Sequence, residues 1–143
     1  MEHTDLIIDH LHLISENPQT TASWYAEKLG GRITAGQEVL GAPQFHLAFG
    51  EVFIIIRGRR PGEALLNKNG LQWGIDHFGF QVPGDFDGFC FELRKKGVRF
   101  TIDPMDFNPS LRLAFIEAPD GVSIELLQRK ILVSETKGPG SGQ

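Results

Sequence analysis

The chain has 143 residues, of which 41% are hydrophobic, 10% aromatic and 22% charged, and 14 Lys and Arg against 18 Asp and Glu give a formal net charge of −4. That is the composition of an ordinary globular domain, long enough for one core or for two fused half-size units, and its negative balance weighs against nucleic acid as the main partner. A single cysteine, Cys90, excludes a disulfide scaffold and fits a reducing compartment, no apolar run reaches a membrane-spanning length, and the N-terminal MEHTDLII lacks the basic and long apolar regions of a secretory leader, so a cytoplasmic protein without a membrane partner is expected.

The sequence repeats itself. Ile8-Asp9-His10 recurs as Ile75-Asp76-His77, and at the same offset of 67 the run Gly30-Gly31-Arg32-Ile33-Thr34 recurs as Gly97-Val98-Arg99-Phe100-Thr101. Leu47-Ala48-Phe49 matches Leu113-Ala114-Phe115 at an offset of 66, and Val52–Ile55 matches Val122–Glu125 at 70, which places four extra residues in the second copy's turn, 116–121. Several matches in one order mark a duplication, and turns are where duplicates tolerate insertions.

Each copy follows one plan. The first opens with a strand over about 6–14, which Asn17 and Pro18 close by starting a helix built on Trp24, Tyr25 and Leu29 and stopped at Gly30-Gly31. Strands over about 31–39, 44–49 and 51–57 follow. The second copy opens with a strand over 74–82, continues with a helix carrying Phe86, Phe89, Cys90 and Leu93 and stopped at Gly97, and ends in strands over 98–102, 111–117 and 121–128. The expected architecture is α+β, two βαβββ modules at 1–57 and 74–130, joined by a linker over 58–73 and followed by a flexible polar tail over 131–143.

Strand residues point to alternate faces, so Ile8, His10 and His12 share one face of the first strand and His77 is the counterpart of His10. A two-fold relation between the copies would bring His10 and His77 together, with Ile55 and Glu125 as the related positions on each last strand. Two histidines and a carboxylate, with an apolar residue in the fourth place, form a facial triad with open positions, suited to Fe(II), Mn(II) or a similar six-coordinate ion rather than to a closed structural zinc site.

The paired modules, each opened by an Ile-Asp-His strand, and the closing APDGVSIELL resemble the vicinal oxygen chelate superfamily, which includes glyoxalase I, methylmalonyl-CoA epimerase, fosfomycin-resistance proteins, bleomycin-binding proteins and extradiol dioxygenases; the resemblance covers residues 6–128. It implies a half-barrel from each module around a divalent metal, a substrate bound through two adjacent oxygens, and a homodimer. It maps the first-, fifth- and eighth-strand ligands to His10, His77 and Glu125. The fourth-strand ligand maps to Ile55, which cannot coordinate; this departs from glyoxalase I and leaves a set similar to extradiol dioxygenases and fosfomycin-resistance transferases. Where the transferases carry a threonine, two positions after the first ligand, this chain has His12.

His12 shares the face of His10 and is a candidate acid/base or a residue orienting its neighbour. His46 and Arg112, counterparts at an offset of 66, are candidates to face the cavity and bind an oxygenated or anionic substrate. Glu38 is a further candidate base, and Arg57, Arg59 and Arg60 form a basic patch that either grips an anion or lies solvated. Tyr25, Trp24 and Cys90 read as packing, while Phe45, Phe49, Phe53, Phe78, Phe80, Phe107 and Phe115 point to an apolar or aromatic ligand, several of them being core. Three functions follow: a dioxygenase, favoured by the ligand set; a redox-neutral lyase, isomerase or thiol transferase; and a metal-free binding protein. Zn, Ni and Co stay open beside Fe and Mn, and no nucleic-acid partner is expected.

Overall fold

A computed structural model describes residues 5–66 and 70–130, and the chain divides into two compact units, Met1–Asn69 and Gly70–Gln143. The expected tail, 131–143, lies outside the described residues. The first unit runs β1 (His10–Ile14), α1 (Pro18–Leu29), β2 (Arg32–Val39), β3 (Ala42–Phe49) and β4 (Val52–Arg57). The second repeats the order with β5 (Phe78–Gln81), α2 (Phe86–Lys95), β6 (Arg99–Asn108), β7 (Leu111–Glu117) and β8 (Ser123–Arg129). The strand orders are β1-β4-β3-β2 and β5-β8-β7-β6, and in each the opening strand is parallel to the last while the other pairs are antiparallel. The α+β plan of two βαβββ modules is therefore observed.

Each sheet covers one face with its helix. In the first unit Leu47, Ile54 and Ile56 are buried beside Ala22 and Tyr25 of α1; in the second Ala114, Ile116, Ile124 and Leu126 are buried beside Phe86, Cys90 and Leu93 of α2. Side chains alternate along each strand, so the intervening residues form a second face, turned away from the helix. The α1 signals act as the sequence foretells: Asn17 caps the helix through Thr20 N–H, and Gly30 ends it with a left-handed φ of 82°. Asp85 caps α2 by accepting from Gly88 N–H.

Both opening strands are shorter than the apolar runs suggested. Pairing starts at His10 with Phe53 and at Phe78 with Ile124, so Leu6, Ile7, Ile8, Trp73 and Ile75 precede the ladders and are exposed. An apolar run becomes strand only where a neighbouring strand runs beside it, and the registers with β4 and β8 begin at His10 and Phe78.

The extra residues of the second copy also fall elsewhere than expected. His46 pairs with Ile55 and Phe115 with Glu125; Ile55 and Glu125 are 70 positions apart, but His46 and Phe115 are 69 apart. The offset grows from 67 by two residues within β6, whose pairing with β7 slips three times where β2 slips once against β3, and by one in the turn after β7. Bulges, each adding one unpaired residue, take up most of the insertion.

Candidate functional site

On the first unit, the face away from α1 carries His10 and His12 from β1, Phe53, Ile55 and Arg57 from β4, and Gln44, His46 and Ala48 from β3. One row across the sheet reads His12, Ile55, His46, so an isoleucine separates two imidazoles. The His10 and His12 rings meet edge-on with centroids 6.2 Å apart. His12 is held below the ordinary histidine pKa of 6.5, first by burial and then by the positive charge of Arg57, with His10, Arg60 and His46 adding to it. A neutral imidazole at physiological pH is a proton acceptor.

His10 Nδ1 donates to Asp9 Oδ2 at 2.7 Å, which leaves Nε2 as the ring's lone-pair nitrogen. The second Ile-Asp-His does the same: His77 Nδ1 donates to Asp76 Oδ2 at 2.8 Å. The aspartate in each repeat thus fixes the orientation of its histidine ring, a role that the repeated tripeptide makes readable in the sequence.

In the second unit the corresponding row reads Gly79, Glu125, Phe115. His77 Nε2 lies 3.1 Å from Glu125 Oε1, and its ring meets Phe115 edge-on at 4.8 Å between centroids. The bond to Asp76 raises the His77 pKa above 6.5, burial opposes this, and the bond to Glu125 supports it. Gly79 occupies the place of His12: a Cβ there would stand 3.2 Å from Leu127 Cδ2 and 3.3 Å from the Glu125 carbonyl oxygen, so a side chain at this position would crowd β8.

Of the expected triad the structure brings His77 and Glu125 together, and it places His10 on the first unit with its Nε2 available. On the second unit an imidazole oriented by an aspartate stands beside a carboxylate, a donor pair whose chemistry fits a six-coordinate divalent ion. His77 Nε2 and Glu125 Oε1, 3.1 Å apart, are the atoms that would hold such an ion on this unit. Among the described residues no group of three or more His, Cys, Asp or Glu gathers as a metal site.

Arg112 does not take the place the repeat suggested. It pairs with Gln128, on the face that carries α2, and its guanidinium donates to Asp87 Oδ1 at 2.8 and 3.1 Å and to Asp106 Oδ1 at 3.1 Å. The Leu-Ala-Phe match that made it a counterpart of His46 is three residues out of structural register, and an odd slip moves every side chain to the other face. The true counterpart of His46 is Phe115. Glu38, opposite Pro43, likewise lies off the face of Gln44 and His46.

The basic patch is ordered by one carboxylate. Arg57 donates to both oxygens of Glu63, at 2.7 and 3.1 Å, and Arg60 N–H donates to the same group at 2.8 Å, while Arg59 donates to Glu63 carbonyl oxygen at 3.2 Å. Part of the expected linker, 58–63, is thereby tied to the first unit. The expected Phe lining divides by register: Phe53 and Phe115 lie on the faces away from the helices, whereas Phe45, Phe49, Phe78 and Phe80 lie on the helix side, and Phe107 is exposed. Gln44, even-spaced from His46 on β3, was overlooked, although strand alternation alone puts it on the same face.

Two repeated βαβββ units, each opening with an Asp-oriented histidine and one closing on a strand glutamate, define a duplicated α+β protein with a histidine–carboxylate face. The model of the Glyoxalase/Bleomycin resistance protein/Dioxygenase superfamily matches residues 7–126, and the chain belongs to that superfamily. No curated protein matches. Among solved structures the chain is similar to a glyoxylase/bleomycin resistance protein/dioxygenase domain from Frankia sp., with 20% identity, 89% of this chain and 94% of that one covered, and a TM-score of 0.74. It is similar to a glyoxalase family protein from Bacillus cereus, with 17% identity, 92% and 99% covered and a TM-score of 0.73. It also resembles a glyoxalase I variant from Zea mays, with 22% identity, 87% and 45% covered and a TM-score of 0.70. These likenesses establish the fold. Among the described residues no helix is long and apolar enough to cross a membrane.

Proposed function

We propose that this chain is a divalent-metal-dependent enzyme of the superfamily, with His10, His77 and Glu125 as the metal ligands and a small substrate bound through two neighbouring oxygens. The observation that carries the reading is the orientation of both histidines by aspartates, with His77 Nε2 and Glu125 Oε1 already side by side. The bound ion would act as a Lewis acid that lowers the pKa of a substrate hydroxyl and fixes its direction. His12, neutral at physiological pH, takes the proton from that hydroxyl, and Phe53, beside His10 on the same face of the first unit, suits the apolar part of an aromatic or aliphatic substrate. Ile55 in the fourth place favours a dioxygenase, with Fe(II) or Mn(II) ahead of Zn, Ni and Co. The neutral His12 also supports a redox-neutral lyase or isomerase, in which it replaces the missing carboxylate as base. The reading includes a cytoplasmic homodimer, supported by the lone buried Cys90 and by the exposed Leu6, Ile7, Ile8 and Trp73.

Metal analysis of protein purified without chelator or histidine-tag capture tests this. About one transition metal ion per chain is expected, lost in His10→Ala and in Glu125→Ala. Iron supports the dioxygenase and zinc or nickel the redox-neutral enzyme. Protein that takes up no metal even on reconstitution would overturn the enzyme reading in favour of a metal-free binding protein.

A further inference from the structure

Gln44 is nine-tenths buried, 9% exposed, on the face of the first unit turned away from α1. Its Nε2 is 3.1 Å from His46 Nε2, and its Oε1 is buried with no partner among the described residues. A buried amide oxygen without a donor is costly, and such orphans concentrate where a ligand or an ordered water completes the bonding.

We propose that Gln44 and His46 form a hydroxyl-binding subsite, in which Gln44 Oε1 accepts from the O–H of an alcohol or phenol and Gln44 Nε2 holds His46 in its Nδ1–H form. Two features select a hydroxyl. The orphan oxygen is an acceptor, which repels a carboxylate and calls for a donor. The cation opposite Gln44 on the strand ladder, Arg57, is already engaged by Glu63. In the second unit the positions of Gln44 and His46 are held by Leu113 and Phe115, so only the first unit offers this pair.

The subsite deepens the proposed function and rests on it only for where the rest of the substrate lies. It is tested on metal-free protein, so its failure and that of the metal reading are told apart. Long-range 1H–15N spectra at mildly alkaline pH should show His46 as the Nδ1–H tautomer. In Gln44→Glu, whose carboxylate can only accept, the proton should move to Nε2. Phenol, used as the probe, should shift the Gln44 side-chain amide signals, and its dissociation constant should rise about tenfold in Gln44→Leu. Finding His46 as Nε2–H in the unaltered protein would overturn the proposal, as would an unmoved tautomer in Gln44→Glu or equal phenol binding with and without Gln44. The first of these needs no variant and decides the matter even where a substitution prevents folding.

Discussion

Ile55 and Glu125 hold one place in the two copies, and the exchange of a branched alkyl group for a carboxylate gives the two faces different chemistry. Around Ile55 stand His12 and His46; around Glu125 stand Gly79, His77 and Phe115. Cys90, by contrast, belongs to packing. It is 1% exposed against the second sheet, and burial, aided by Asp87, pushes its thiol up to about 11. We therefore expect native protein near pH 8 to react with an aromatic disulfide reagent at less than about a hundredth of the unfolded rate, since two pKa units remove that share of thiolate. Full reaction should appear only with denaturant, in step with loss of structure; rapid labelling of native protein would contradict the packing role. The contact of His77 with Glu125 was legible in the sequence because a repeated tripeptide and a closing strand motif mark the two residues. Arg112 was misplaced because a three-letter match carries no information on bulges, and parity decides the face of a strand.

At the scale of elements, α1 was legible from Asn17, Pro18 and Gly30, because caps are local chemistry. The opening strands were overextended because pairing depends on a partner strand that local sequence does not display. The β2–β3 hairpin breaks a local rule: Leu40, 73% exposed, has a left-handed φ of 51° ahead of Gly41 at 86°. A leucine pays about 1 kcal/mol for that backbone, and asparagine much less. Leu40→Asn should therefore raise stability by about 1 kcal/mol, read as a rise in melting midpoint of about 3 °C; a fall would show that Leu40 is held by a contact. The 58–63 segment depends on charge. Hydrogen bonding to Arg57 holds the Glu63 carboxyl below its ordinary pKa of 4.5. A depressed carboxylate stabilises the fold above the unfolded pKa and loses that contribution as pH falls through the folded one. Protection of the Arg60 amide against hydrogen exchange should thus drop below pH 4.5 and with added salt, and should be low at all pH values in Glu63→Gln. Protection independent of pH would remove Glu63 from the role.

At the scale of the whole molecule, the duplication was the most legible feature, since two units built alike leave a long-range signal that no single element carries. What sequence could not supply was the placement of insertions. Two of the added residues lie inside β6 instead of in a loop, and the ladder absorbs them by slipping three times. Those slips bear on solubility. A sheet's outer strand invites another chain to pair along it, and interruptions in register blunt the invitation. β1 and β5 span only five and four residues, and β6 is cut into short stretches, which leaves β2, eight residues with a single slip, as the one long template for strand addition among the described outer strands. Unwanted association of partly unfolded chains should begin there, because the two copies differ in how well their outer strands are blunted.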